Sequence, residues 1–319
     1  MTPSVHAWSG AFDAPDQLAM ALRDADVEYL SLQRGDFRAR LSAIRLGAMS
    51  VQIAQDGPHI SRGALASERT MLLLPLDGIA DGVRVNGHRA RAQDAIMVGE
   101  QAGLHVIVPG RQRWAALTLG PDTLPALGLE AMHVARGDFA VRPQLLGRAR
   151  GLQSFLLELE QIAVFDPDRF AAGSVTAAIS ETLCGQLSAG LHADAAPERP
   201  GRTLRRRIQL VAMAEEFAAS ERGRPIYTHD LCTAFGVAPR TLHAAFNAVF
   251  GMSPHRYLRI RRLNQAREAL LHRAEGPGLV KSVALDHGFW HLGRFAQEYR
   301  ALFGESPSST MRTSQMAGA

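Results

Sequence analysis

The sequence predicts an α+β chain: a strand-rich N-terminal part, built as a sandwich or barrel and followed by helices, precedes an all-helical C-terminal part. Three observations carry this. Between residues 37 and 119 short apolar runs are separated by Gly, Pro, Asp and Asn; from 144 the apolar spacing becomes helical; and near the C-terminus one whole helical unit occurs twice.

Strands are expected over 37–46, 49–55, 70–76, 95–99, 104–108 and 114–119, with turns at Gln55-Asp56-Gly57-Pro58, Asp77-Gly78 and Asn86-Gly87. Such frequent punctuation fits a sandwich or barrel better than alternating βαβ units. Two helices are expected over 144–164 and 167–191, the first carrying Leu152, Phe155, Leu156 and Leu159 on one side. The polar, Pro-containing stretch 192–201 reads as a linker. Beyond it, Leu204, Ile208, Val211, Ala214 and Ala218 form one apolar stripe, with Arg205, Arg206 and Arg207 starting on its solvent side.

At 319 residues and 46% hydrophobic content, the chain is long enough for two folded domains. Its longest apolar run, near Met71–Leu76, is broken by Pro75 and Asp77, far short of the roughly 20 residues a membrane span needs. The N-terminus carries neither a basic start nor an apolar stretch, so the cytoplasm is the expected location. Cys184 and Cys232 fall in different predicted domains, which leaves no disulfide framework and no four-cysteine zinc site; both are expected as small core residues. Charge is divided unevenly. From Arg202 onward there are 17 Lys and Arg against 9 Asp and Glu, and before it 18 against 22. A basic C-terminal part on a slightly acidic N-terminal part is what a chain needs if only one domain meets a polyanion.

The repeat is the most specific feature. Phe250-Gly251-Met252-Ser253-Pro254 recurs 53 residues later as Phe303-Gly304-Glu305-Ser306-Pro307. Leu242 and Phe246 match Phe295 and Tyr299 at the same offset, while Leu231 and Gly236 match Val283 and Gly288 at 52. Each copy reads as a short helix, a glycine turn and a longer helix. In the first, Thr228 is expected to cap a helix running to Phe235, with Asp230 near its positive end, and a second helix is expected over 239–250. Leu242, Ala245, Phe246, Val249 and Phe250 should face inward, and Arg240, Thr241, His243, Ala244 and Asn247 outward. In the second copy Phe295, Tyr299, Leu302 and Phe303 turn in, while His291, Gly293, Arg294, Gln297 and Arg300 turn out. A helix with one apolar face and Arg, His, Asn and Gln on the other can enter a major groove and read base edges. The plainer alternative is a solvated face on an ordinary helical bundle.

Between the copies, Ser253 and Pro254 mark the start of a long helix to about His272. Tyr257, Ile260, Leu263, Ala266 and Leu270 form its stripe. Arg256, Arg259, Arg261, Arg262 and Arg267 are expected on its remaining surface, Arg262 touching at most phosphate or solvent. Nineteen residues at 1.5 Å each span about 28 Å, close to one DNA turn.

This arrangement, including Gly288-Phe289 and the Phe-Gly-x-Ser-Pro ending of both units, resembles the AraC/XylS family of bacterial transcription regulators over roughly 202–310. Residues 288–295 are also similar to the ethanolamine-utilisation regulators within that family. The resemblance implies a recognition helix from each unit in successive major grooves of double-stranded DNA, and usually recruitment of RNA polymerase. Carried over by position, the base-reading candidates are Arg240, His243 and Ala244, then Leu292, Gly293, Arg294 and Gln297. Ala244 and Gln297 stand where many members have arginine, so the target motif cannot be borrowed from a relative.

The resemblance further implies a cupin-like β-barrel with dimerising helices over 1–191, which would sense a small-molecule effector, then the linker 192–201 and the DNA-binding domain 202–319. No cofactor or metal is expected: His59, His88, His105 and His133 are scattered, with no His-x-His pair. His105 reads as a core residue. Trp114, Tyr29 and Phe37 are candidates to line an effector pocket, with Arg62 or Arg69 anchoring an acidic group. No nucleophile elbow, phosphate loop or paired acid and base is visible, so catalytic residues are not expected. Two enzymatic alternatives, a DNA-alkylation-repair fusion and an amidotransferase-like fusion, need cysteines this sequence does not place. A pure oligomerisation module without ligand is the third reading.

Overall fold

The computed structural model describes residues 6–32, 37–66, 68–77, 79, 81–191, 196–221, 224–272 and 278–317, with the backbone alone for 313–317. Gly78 of one expected turn and residues 192–195 of the expected linker lie outside these. The chain divides into two compact units, Met1–Tyr29 with Phe37–Gly57 and Ser61–Gly201, and Arg202–Ala319 with Leu30–Asp36 and Pro58–Ile60.

The first unit is sheet-rich. A seven-stranded sheet has the order β1 (Ala7–Phe12), β3 (Ala39–Leu46), β4 (Met49–Asp56), β11 (Gln112–Leu119), β6 (Thr70–Asp77), β9 (Ala95–Val98) and β12 (Phe139–Arg142). A five-stranded sheet has the order β2 (Ala25–Ser31), β5 (His59–Leu65), β10 (Gly103–Val108), β7 (Arg84–Val85) and β8 (His88–Arg89). The described strands thus make two open sheets, not one continuous closed barrel. All six expected strands are present. A short helix α1 (Pro15–Ala21) joins β1 to β2.

Alternation along the strands gives the seven-stranded sheet two different faces. Ile44, Val51, Ile53, Leu72, Leu74, Ala115 and Leu117 lie on one and are buried with Leu152, Leu156, Leu159, Leu183 and Leu187 of the helices that cover it. Those helices are α2 (Leu145–Arg148), α3 (Leu152–Phe165) and α4 (Gly173–Leu191). The first expected helix is therefore two, broken at 149–151. Cys184 is buried in this core, and burial pushes its thiol pKa up. Cys232 is only partly buried.

The second unit is helical: α5 (Arg202–Ser220), α6 (Thr228–Phe235), α7 (Pro239–Phe250), α8 (Pro254–His272), α9 (Leu279–Asp286), α10 (Leu292–Phe303) and α11 (Pro307–Ala317). The α6 boundary corrects the expected cap. Its N-cap is Tyr227, whose backbone N–H donates to Asp230 Oδ2 at 2.8 Å, so the acidic residue at the third helical position does the capping work assigned to Thr228. No helix among the described residues is long and apolar enough to cross a membrane.

Candidate nucleic-acid interface

Two helix–turn–helix units emerge from the repeat. In the first, α6 ends at Gly236 with φ +62° and α7 follows; in the second, α9 ends before Gly288 with φ +75° and α10 follows. Gly288 is required twice over. Its φ is left-handed, and a Cβ there would sit 2.6 Å from Tyr227 Oη and 2.7 Å from Pro225 Cβ.

Each longer helix is seated by aromatic packing. Phe246 and Phe250 of α7 lie 5.3 and 4.8 Å, centre to centre, from Tyr257 of α8. In the second unit Phe289, Phe295, Tyr299 and Phe303 run in one contacting series, buried with Leu263, Ala266 and Leu270 from the C-terminal half of α8. Tyr299 shares a 2.8 Å hydrogen bond with the Thr310 hydroxyl, and burial pushes its phenol up to about 12. Ser253 Oγ accepts from the Arg256 N–H and Ser306 Oγ from the Ser309 N–H, so the Ser-Pro pair starts a helix in both copies.

With their apolar faces buried, α7 and α10 turn the expected residues outward. Arg240, Thr241, His243 and Asn247 are exposed and Ala244 half-buried; His291, Leu292, Gly293, Arg294 and Gln297 are exposed. Gly293 has no neighbour within 4 Å of a would-be Cβ. Nothing inside the fold demands a glycine there. Arg294 is held along the helix by Glu298, its Nε donating to Oε1 at 3.0 Å.

Trp290 is a surface residue that sequence reading passed over. It is 70% exposed and sits between buried Phe289 and exposed His291, at the entrance to α10. Its only sequence signal is a large apolar residue outside the helical stripe. Trp and Leu292 give the N-terminal end of α10 an apolar edge beside its cations, suited to thymine methyl groups.

The arginines of α8 correct the expected solvent face. Only Arg256 is exposed. Arg261 is buried and donates to the Ala218 carbonyl at 2.8 Å. Arg262 is also buried, its guanidinium 4.5 Å from the centre of the Tyr227 ring and 5.3 Å from that of Phe289. Burial lowers its pKa, with Tyr227 partly offsetting this. Arg259 pairs with Glu298, and Arg267 with Glu305 at 3.0 Å. A helix packed on several sides leaves few faces for solvent, and the guanidinium groups of Arg259, Arg261, Arg262 and Arg267 meet carboxylates, a carbonyl and rings instead.

In the first unit, Tyr29, Phe37 and Trp114 do come together, partly buried with Trp8 and Phe12 around Leu18, Leu41 and Ala54. Trp114 Nε1 donates to the fully buried Asp56 at 2.9 Å. Burial, then Asp56, raises the Tyr29 phenol well above its ordinary value. Arg62 is paired with Glu28 and Arg69 with Asp24. His105 is buried, as expected.

A family model described as a helix-turn-helix domain matches residues 231–313. The XylDLEGF operon transcriptional activator 2 of Pseudomonas putida is 39% identical over 93 residues, 29% of this chain and 59% of that protein. Another XylDLEGF operon transcriptional activator of Pseudomonas putida is 42% identical over 76 residues, 24% of each chain. The match therefore spans less than two thirds of these relatives. A probable AraC family transcriptional regulator from Rhodopseudomonas palustris, of known structure, is 35% identical over 33% of this chain and 97% of that chain, with a TM-score of 0.30.

Proposed function

From the premise that its C-terminal domain is an AraC-type helix-turn-helix domain, we propose that this chain is a sequence-specific DNA-binding transcription regulator, and an activator. The observation that carries the reading is the pair of exposed, cation-bearing faces on α7 and α10, whose two units lie on either side of the long helix α8 in the chain. Residues 202–319 are assigned to DNA binding, 192–201 to the linker, and 1–191 to effector sensing and dimerisation. The DNA contacts assigned are Arg240, Thr241, His243, Ala244 and Asn247 from the first unit, and His291, Leu292, Gly293, Arg294 and Gln297 from the second. The assigned partners are a duplex operator, RNA polymerase, a small-molecule effector and a second copy of the chain, in the cytoplasm. No catalytic role is assigned.

The test is selection from random duplex DNA with the full chain. A two-part motif with a fixed centre-to-centre spacing near one helical turn is expected. Affinity should fall steeply with salt, since each phosphate contact releases condensed counterions. Enrichment of no motif, together with salt-insensitive binding, overturns the reading.

A further inference from the structure

The first unit is acidic overall, yet it holds a cationic cleft. The cleft encloses 640 Å³ at the β3–β4 hairpin end of the seven-stranded sheet, a volume typical of small-molecule sites. Register places Trp8 opposite Ala43 and Ala43 opposite Gln52, so these three share one face, and Trp8 forms the aromatic wall.

Arg23, Arg45 and Arg69 line the same cleft. Asp24 is the one carboxylate among its lining residues, and it is already engaged: Arg69 Nε lies 3.2 Å away, and the Ser50 and Thr118 hydroxyls donate to Oδ2 at 2.5 Å each. The buried Gln52 amide is spent on the Arg23 backbone, accepting from its N–H and donating to its carbonyl, both at 2.9 Å. Among the described residues no carboxylate pairs with the Arg23 or Arg45 guanidinium. The concavity therefore carries positive charge that its own walls do not match, beside an aromatic surface that favours an apolar body. Guanidinium groups suit carboxylate geometry, presenting paired N–H donors.

We propose that this cleft binds an organic carboxylate with an apolar body, the carboxylate on Arg23 and Arg45 and the body along Trp8. Calling that ligand an effector rests on the regulator reading above; the binding itself does not.

The experiment is calorimetric titration of the full chain with 3-phenylpropanoate and with octanoate, beside the neutral 3-phenylpropanamide and octanamide and inorganic phosphate. Saturable binding of at least one carboxylate is expected, at least tenfold tighter than its amide and than phosphate. Replacing both Arg23→Gln and Arg45→Gln should weaken it at least tenfold, while the melting temperature and DNA affinity of the ligand-free protein stay unchanged. No saturable binding of either carboxylate, equal binding of the amides or of phosphate, or an unaffected double variant would each overturn the site. Operator affinity measured with and without the carboxylate separates the two readings. DNA binding without carboxylate binding sinks this inference alone. Carboxylate binding in a chain that selects no DNA motif leaves the site standing and sinks the regulator reading.

Discussion

Arg259 on α8 and Glu298 on α10 are joined by two hydrogen bonds of 2.5 Å each, so α10 is clamped to the helix that precedes its unit. Both side chains are about one quarter exposed, which leaves the pair partly screened. A double-mutant cycle with Arg259→Ala and Glu298→Ala should return a coupling of about 1 kcal/mol in chemical denaturation. A coupling near zero would make the clamp ornamental.

Arg262 holds the turn of the second unit to the start of the first by lying over both Tyr227 and Phe289. Arg262→Ala should destabilise the protein by about 2 kcal/mol, the value of a desolvated cation over a ring. Arg262→Lys should recover only part, because a compact ammonium does not stack as a planar guanidinium does. If Arg262→Ala melts like wild type and merely weakens DNA binding a little, its charge faces phosphate or solvent after all.

Gly293 separates stability from function. The open space around it allows Gly293→Ala to stabilise the helix by about 0.5–1 kcal/mol. The same methyl should stand between α10 and the groove floor and weaken operator binding. A variant that gains stability and keeps full affinity would place Gly293 away from the DNA.

Arg294 lies one residue further into the helix and is 66% exposed. Arg294→Ala should relax base preference at one or two positions, each by about 1–3 kcal/mol. Competition against a library of single-base operator changes reads this directly. Retained preferences would make Arg294 a phosphate contact.

Glu160 gives a pH-dependent stability. Burial raises its pKa, with Arg113 opposing and Asp77 assisting. A carboxyl whose folded pKa is raised is most favourable protonated, so its contribution is full below the ordinary glutamate range and lost as pH rises through the folded value. Glu160→Gln removes that loss. The melting temperature of the variant relative to wild type should therefore climb between pH 4 and pH 7; a constant difference would show that the pair with Arg113 offsets the burial.

Much of the helical half was legible because its signals are local and repeated. The 3.6-residue spacing of Leu242, Phe246, Val249 and Phe250, the glycine turns and the Ser-Pro starts each have one structural reading. The buried arginines of α8 were not legible. Arg261 and Arg262 sit between stripe residues Ile260 and Leu263, and only the position of Tyr227, Phe289 and Ala218 shows that a third side of the helix is covered. In the sheet half, β1, β2, β5, β7, β8 and β12 escaped. β1 carries Gly10 and a mixed face, and β5 contains Gly63, whose would-be Cβ falls 1.9 Å from the Asp26 carbonyl oxygen. That glycine reads as a break in sequence and is a close strand approach in space. Trp8 and the arginines of the cleft come from segments far apart in the chain, so no spacing rule could have joined them.

The helix α8 serves two separate aromatic clusters, with Tyr257 in the first and Leu263, Ala266 and Leu270 in the second. Each cluster can therefore loosen on its own free-energy scale. Opening the second costs its own buried surface and the ties from Arg259, Arg262 and Arg267, while α7 stays seated against the first half of α8. If α7 and α10 dock on DNA as proposed, such a chain would keep hold of a duplex through one helix while the other lets go and re-engages, and the strength of the second cluster would set residence time as well as stability.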